Sequence, residues 1–590
     1  MLKITRFAHV RKLSNINMPH VNVVKEGLAE VTLPDGVFYN PVQEFNRDIT
    51  VAMISQFEKL HRKESLRKLK NLPERSELPT GLKILEALAA SGIRSVRFAL
   101  EVPNVSCVTA NDLSPDAVIL IGKNAAHNNV SSVVHAVCND AIDLMYTHRT
   151  CSERFNVVDI DPFGSASPFL DSAVQCLHNG GLLCVTSTDM AVLCGSTPGT
   201  SMSKYGGLAI KTGSTHEVAL RILLNAMQSA ASRYGKVIEP LLSLSVDFYA
   251  RVFVRVWHSP ISVKAIAAKH GICFMCPGCH AYHIQPLGIA VNSPKAITPA
   301  HGPPIGPQCA ECGSKFRVFG PMWIGPLHNR PFLREFLSDL GCPPKVIDGD
   351  SNHFNPGSYS PLVTKNTIQN SPEISSESTV QCEPLVSKNY GTLKRIIGMV
   401  TVAYEELPDV PLYYELDQLA SAYGCTLPKL LDLHSCLLNA NYRVSCSHAD
   451  KKSLKTDAPH SFVLDCFRAH YERQNPTQKG DGEENSKEET KASEKITVRE
   501  KRRLKRKRHA NKNICDSPDE EDNDSEPENV PNHQVVRANL LVRPINPLVS
   551  FTRHPLANPP SRDDGLLRYQ LNPEKHWGPK SRPKMKNKSQ

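Results

Sequence analysis

Between Glu26 and Val263 the chain alternates unbroken apolar runs with polar stretches of helical spacing, and this alternation limits the possible folds more than any other feature. The runs LKILEAL (Leu82 to Leu88), VSCVTAND (Val105 to Asp112), NVVDID (Asn156 to Asp161) and GGLLCVTSTD (Gly180 to Asp189) read as strands buried on both faces. SPDAVILIGKNAAHNN lies between two of them and opens on Ser114-Pro115, a cap residue followed by a first-turn proline. Buried strands separated by helices imply an α/β domain, a parallel sheet covered on both sides.

A chain of 590 residues that is 40% apolar can build more than one core, and its texture divides it. Residues 26–265 form the α/β unit. Residues 266–472 are richer in Cys, Gly and Pro and then helical, with a polar, weakly patterned insertion at about 350–390; they read as a smaller α+β domain. Residues 473–532 are a charged linker of disordered composition, and 533–590 a C-terminal tail. The net charge of +10 is modest and unevenly spread, so partners must be argued locally. No apolar run reaches membrane-spanning length, and no membrane or obligate protein partner is expected. Residues 1–25 carry Lys3, Arg6, Arg11 and Lys12 before the first acid, Glu26, which suits either a mitochondrial presequence or a basic tail.

Ligands of open α/β sheets bind beyond the carboxyl ends of the strands, and those ends here are acidic. The first run leads into EALAASGIR (Glu86 to Arg94), the second ends in Asn111-Asp112, a shorter VVHAVCND ends in Asn139-Asp140, and the next ends in Asp161-Pro162-Phe163-Gly164. Asp112 follows Gly92 by 112 − 92 = 20 residues, the interval at which a carboxylate can accept hydrogen bonds from ribose hydroxyls. A single Gly92 replaces a full G-x-G-x-x-G, which argues for a nucleoside cofactor without phosphates, such as S-adenosylmethionine. Asp-Pro-Phe at a strand end resembles the acid-Pro-aromatic motif of amino methyltransferases, in which the acid or a nearby carbonyl accepts from an exocyclic amine and the ring stacks on the base. On that reading Asp161 is the acceptor, Pro162 stiffens the loop and Phe163 is the stacking ring. The plainer alternative has Asp161 capping the next helix and Phe163 filling core. Asp159 lies one pleat deeper and reads as structural.

NPVQEFNRD (Asn40 to Asp48), ALAASGIRSVR (Ala87 to Arg97), ANDLSPDAV, VVDIDPFG and KTDAP (Lys455 to Pro459) together resemble the tRNA (guanine-26-N2)-dimethyltransferase family, across most of residues 26–470. The resemblance implies a Rossmann-like methyltransferase domain, S-adenosylmethionine as methyl donor, and one or two transfers to the N2 amine of a guanosine in tRNA. By position it makes Arg47 and Arg94 cofactor-pocket arginines, Asp112 the ribose ligand, Asp140 with Ala141 the adenine contact, and Asp161 to Gly164 the target-base site. Taken singly, Arg47 could merely pair with Asp48 or a surface acid, and Asp140 could be an ordinary helix cap. Two rival readings remain: a methyltransferase acting on another amine, such as adenine N6 in RNA or DNA, and a non-catalytic tRNA-binding protein of the same fold.

CPGC (Cys276, Cys279) and CAEC (Cys309, Cys312) fit four thiolates around a structural Zn2+, with Cys273, His280 and His283 as competing ligands and free buried cysteines as the alternative. Tyr442, Arg443, His448, Lys451, Lys452 and Lys455 form a basic stretch that reads either as a solvated strand and loop or, through the resemblance, as a tRNA-holding surface in the second domain. KRRLKRKR (Lys501 to Arg508), followed by an acidic run, reads as a nuclear localisation signal or an RNA-anchoring tail. The expected locations are therefore nucleus and mitochondrion. Trp577 stands among Pro and Lys near the end, a segment that reads either as docking on the body or as touching RNA.

Overall fold

The computed structural model describes residues 22–34, 39–69, 81–150, 152–290, 297–345, 390–476 and 532–569. The basic opening, the insertion at about 350–390, the linker with its run 501–508, and Trp577 lie outside these residues, a few boundary positions apart.

A two-stranded hairpin, β1 (Asn22–Glu26) and β2 (Ala29–Leu33), precedes a long helix, α1 (Glu44–Leu69). Then follow β3 (Leu82–Glu86), α2 (Ile93–Glu101), β4 (Val105–Asp112), α3 (Pro115–His127), β5 (Val134–Cys138), α4 (Ala141–Thr147), β6 (Phe155–Ile160), α5 (Leu170–Cys176) and β7 (Leu177–Ser187). Two longer strands, β8 (Lys236–Val246) and β9 (Tyr249–His258), complete a seven-stranded sheet of order β5-β4-β3-β6-β7-β9-β8. The first five are parallel. The expected parallel sheet carries an antiparallel edge, because β8 and β9 form a hairpin and β9 runs antiparallel to β7. Their turn is too short for a crossover helix, which parallel neighbours would need. Ser114 caps α3 by accepting from the Ala117 N–H at 3.4 Å, with Pro115 in the first turn.

Strand order reverses between β3 and β6, so their carboxyl ends diverge and leave a crevice. One face of the sheet is covered by α1, α2 and α3, the other by α4, α5 and the helix Thr215–Ser232. The division at residue 265 is not a division of the core. Helices Arg330–Asp339 and Leu393–Glu405 pack Phe332, Phe336, Ile396 and Val400 into the same cluster as Ile49, Met53 and Phe57 of α1. The Leu393–Glu405 helix is fastened there by polar bonds as well. Asp48 accepts from the N–H and hydroxyl of Thr392 at 2.9 and 2.7 Å, and Arg395 pairs with Asp247 at 3.1 Å.

A further core gathers the four cysteines, helices Leu416–Tyr423, Leu430–Asn439 and His460–Gln474, and a helix from the tail, His533–Leu541. The tail returns to the body: Val536 and Leu540 are buried, Arg468 donates to the Leu540 carbonyl at 2.6 Å, and Asn539 donates to the Cys312 carbonyl at 3.1 Å.

Candidate active site

The crevice at the switch point is a cleft of about 350 Å³. Its lining includes Arg47, Arg94, Asp112, Asp161, Pro162 and Phe163, six of the nine residues expected to bind cofactor or base; Gly164 stands just behind it in the same loop. Asp140 and Ala141 are not in that lining. They stand one strand further out, where β5 pairs with β4 as far as Asp112 opposite Cys138. Asp140 is exposed and caps α4, accepting from Ile142 and Asp143 N–H groups at 2.7 and 3.4 Å, while Ala141 is buried in the core.

The turn after β3 is shaped by its backbone. Gly92 takes φ = 77° at the start of α2, and a Cβ there would meet Ile121 of α3 at 3.1 Å. Asp112 reaches back to the same turn, one oxygen accepting from Ala90 N–H at 2.9 Å and the other from Ser114 N–H at 2.9 Å. Two backbone donors thus fix this half-buried carboxylate at the β4 end.

Arg94, in the first turn of α2, is buried and faces β6. It donates to Asp159 Oδ2 at 3.1 Å and, through its other terminal nitrogen, to Asp161 Oδ2. Burial works against the guanidinium charge, but the Asp161 and Asp159 carboxylates outweigh it and raise the Arg94 pKa above its ordinary value. Asp161 caps no helix: the next helical turn, Ser167–Phe169, begins at Ala166 without a side-chain cap. Phe163 does not fill core either, since it is 52% exposed at the cleft wall. The loop is pinned to the end of β7, with Gly164 N–H donating to Thr188 Oγ1 at 2.7 Å and Thr188 N–H returning to the Gly164 carbonyl at 2.9 Å.

Arg47 pairs with neither Asp48 nor a surface acid but with buried Glu26. Glu26 grips its Nε at 2.6 Å and Nη2 at 2.5 Å, and the Asn40 carbonyl accepts from Nη2 at 3.1 Å. Burial raises the Glu26 carboxyl, yet the Arg47 guanidinium holds it below the ordinary glutamate value. Glu86, also in the lining, has no such counterion at contact distance among the described residues. Burial pushes it up to about 8, against the hydrogen bond it accepts from Ser95 Oγ. Sequence reasoning missed Tyr39, Asn40, Thr188 and Phe248 in this lining. Thr188 was within reach, since it ends a fifth parallel strand; Phe248 sits in the β8–β9 turn and has no local signal.

Among the described residues two groups have ligand atoms close enough for a metal. The first is Cys276, Cys279, Cys309 and Cys312, all buried, with Sγ–Sγ separations of 3.3 Å (Cys276 to Cys312) and 3.5 Å (Cys279 to Cys309). Four convergent thiols with no acid among them fit zinc. Cys273 instead packs in the sheet core, and His280 and His283 are outside the group. The second group, His328, Glu406 and His448, does not fit. Ser243 N–H donates to His328 Nδ1 at 3.3 Å and Ser245 N–H to His448 Nε2 at 3.1 Å. In a neutral imidazole the other nitrogen then carries the proton, leaving no lone pair for an ion on the side facing Glu406.

Lys455 completes that buried network, 2.9 Å from Glu217 and 3.3 Å from Glu406. This corrects part of the expected tRNA surface, because His448 and Lys455 are core residues. Arg443 and Lys452 are more exposed but paired, Arg443 with Asp409 and Asp457, Lys452 with Asp417. Among the described residues no helix is long and apolar enough to cross a membrane.

The family model of N2,N2-dimethylguanosine tRNA methyltransferases matches residues 14–346 and 364–468. A human protein named tRNA (guanine(26)-N(2))-dimethyltransferase is 38% identical over 601 residues, covering 95% of this chain and 77% of its own length. The Saccharomyces cerevisiae protein of that name, designated mitochondrial, is 36% identical over 75% of this chain and 78% of its own. Among solved structures, Trm1 from Pyrococcus horikoshii in complex with S-adenosyl-L-methionine aligns with a TM-score of 0.55 at 24% identity, over 75% of this chain and 99% of that one, and shares the fold. With most of its length matched, this chain belongs to the N2,N2-dimethylguanosine tRNA methyltransferase family.

Proposed function

We propose that the chain methylates the exocyclic N2 amine of guanosine 26 in tRNA, with S-adenosylmethionine as donor, giving N2-methyl- and N2,N2-dimethylguanosine. The observation that carries this reading at the site is the Asp161 carboxylate, held by Arg94 through Oδ2 and sharing one cleft with Asp112 and the half-exposed Phe163 ring. S-adenosylmethionine supplies an electrophilic methyl on a sulfonium. Asp112 is the acceptor for its ribose hydroxyls. Arg47 borders the same pocket with Nη1 outside its bonds to Glu26 and Asn40, and Asp140 with Ala141 would meet the adenine at the next strand end.

Phe163 supports the target base by stacking, and Pro162 limits the loop that carries it. Asp161 Oδ1, the oxygen Arg94 leaves open, accepts an N2 proton of the guanine. An aryl amine's lone pair is delocalised into its ring, and accepting its proton lets that pair localise toward the methyl group. Alignment of nitrogen, carbon and sulfur then becomes the main catalytic task. Cys276, Cys279, Cys309 and Cys312 would hold zinc as a closed structural site with no position for substrate. Exposed Lys451, with Arg443 and Lys452 beside it, is the part of the second domain left to meet tRNA phosphates. The basic segment 1–25 would serve mitochondrial import and the run 501–508 nuclear import.

Nucleoside analysis of tRNA from cells lacking the protein tests the assignment. N2-methylguanosine and N2,N2-dimethylguanosine at position 26 should disappear; unchanged amounts would contradict it.

A further inference from the structure

The Arg94–Asp161 pair is the outer end of a longer buried chain of charge. Asp159 Oδ2 accepts from Arg94 Nη1 at 3.1 Å and its Oδ1 from Arg251 Nη2 at 2.7 Å. Arg251, on β9, is fully buried and donates further to Thr186 Oγ1 of β7 at 2.8 Å and Thr50 Oγ1 of α1 at 2.7 Å. Two cations and two anions alternate, so the row Arg251–Asp159–Arg94–Asp161 is formally neutral, and only the Asp161 carboxylate reaches solvent, its side chain 24% exposed. A guanidinium in the first turn of a helix stands at the wrong end of the helix dipole. Two carboxylates face Arg94 there, Asp159 within β6 and Asp161 just past its end, and Arg251 lies behind Asp159.

We infer that Arg251 and Asp159 are positioning residues for methyl transfer: acting through Arg94, they hold Asp161 so that Oδ1 points at the target amine. The inference rests on the reading of Asp161 as amine acceptor. Neither residue touches substrate, so their removal should slow the chemical step and spare binding.

Single-turnover and steady-state kinetics of the full-length protein with unmodified tRNA and S-adenosylmethionine test this. Arg251→Met should lower kcat by about 30-fold with both KM values within about twofold, and Arg251→Lys should recover to within about fivefold of the parent. Asp159→Asn, nearly the same size, should lower kcat by about tenfold and decides the matter by the same readouts if Arg251→Met does not fold. In an Asp161→Asn background the Arg251→Met loss should shrink to under about threefold, since nothing remains to be positioned. Undiminished kcat, a loss carried by KM, or a full Arg251→Met loss in that background would overturn the inference. Asp161→Asn turning over at the parent rate would overturn the underlying reading as well, and that single variant reports it separately.

Discussion

Arg94 holds one oxygen of Asp161, and the residue lines the cleft. On the proposed mechanism, removing the carboxylate takes away an acceptor needed during transfer and little that holds RNA. Asp161→Ala should therefore cut single-turnover methylation by about 100-fold or more while tRNA affinity in a filter-binding assay stays within about twofold. Glu86 makes a separate prediction. Its carboxyl is raised from the ordinary 4.5 to about 8 in the folded protein, so between those values the native state keeps a proton that the unfolded chain releases. Stability is accordingly highest below that window and falls as pH rises through it. Glu86→Gln should flatten the loss of Tm between about pH 5 and pH 8; an unchanged slope would place the titration elsewhere.

At the scale of elements, the buried parallel strands were legible because a strand covered on both faces must be apolar throughout. Val105–Asp112 matches its sequence run, and the others agree to within a few residues. The hairpin Asn22–Glu26/Ala29–Leu33 was not legible, and with it went the partner of Arg47, because Glu26 meets Arg47 only through the folded chain. His448 and Lys455 misled for a related reason: charge in a short sequence says nothing about a buried counterion, and Glu217 and Glu406 come from distant segments. The tail helix is a further element whose docking was not foreseen. Leu540 is fully buried in it, so Leu540→Ala should cost about 2–5 kcal/mol in urea unfolding. Chelation of zinc, or Cys309→Ser, should expose the second core, which that helix and the cysteines share, to proteolysis. Unchanged protease resistance would speak against a bound metal.

For the whole molecule, the sequence suggested consecutive domains, but the packing interleaves them. The texture change near residue 265 is real, yet Phe332, Phe336, Ile396 and Val400 complete the apolar face of α1. Composition could not show this, since an amphipathic helix does not declare which sheet it will cover. A fragment ending at residue 265 would leave that face in water and should lack the near-UV circular dichroism of the full chain. The central claim concerns chemistry at one amine, and mass spectrometry of nucleosides from unmodified tRNA incubated with purified protein and S-adenosylmethionine tests it most directly. The account predicts N2-methyl- and N2,N2-dimethylguanosine at position 26, absent with Asp161→Ala; methylation of an adenine amine instead, or equal product from the variant, would contradict it.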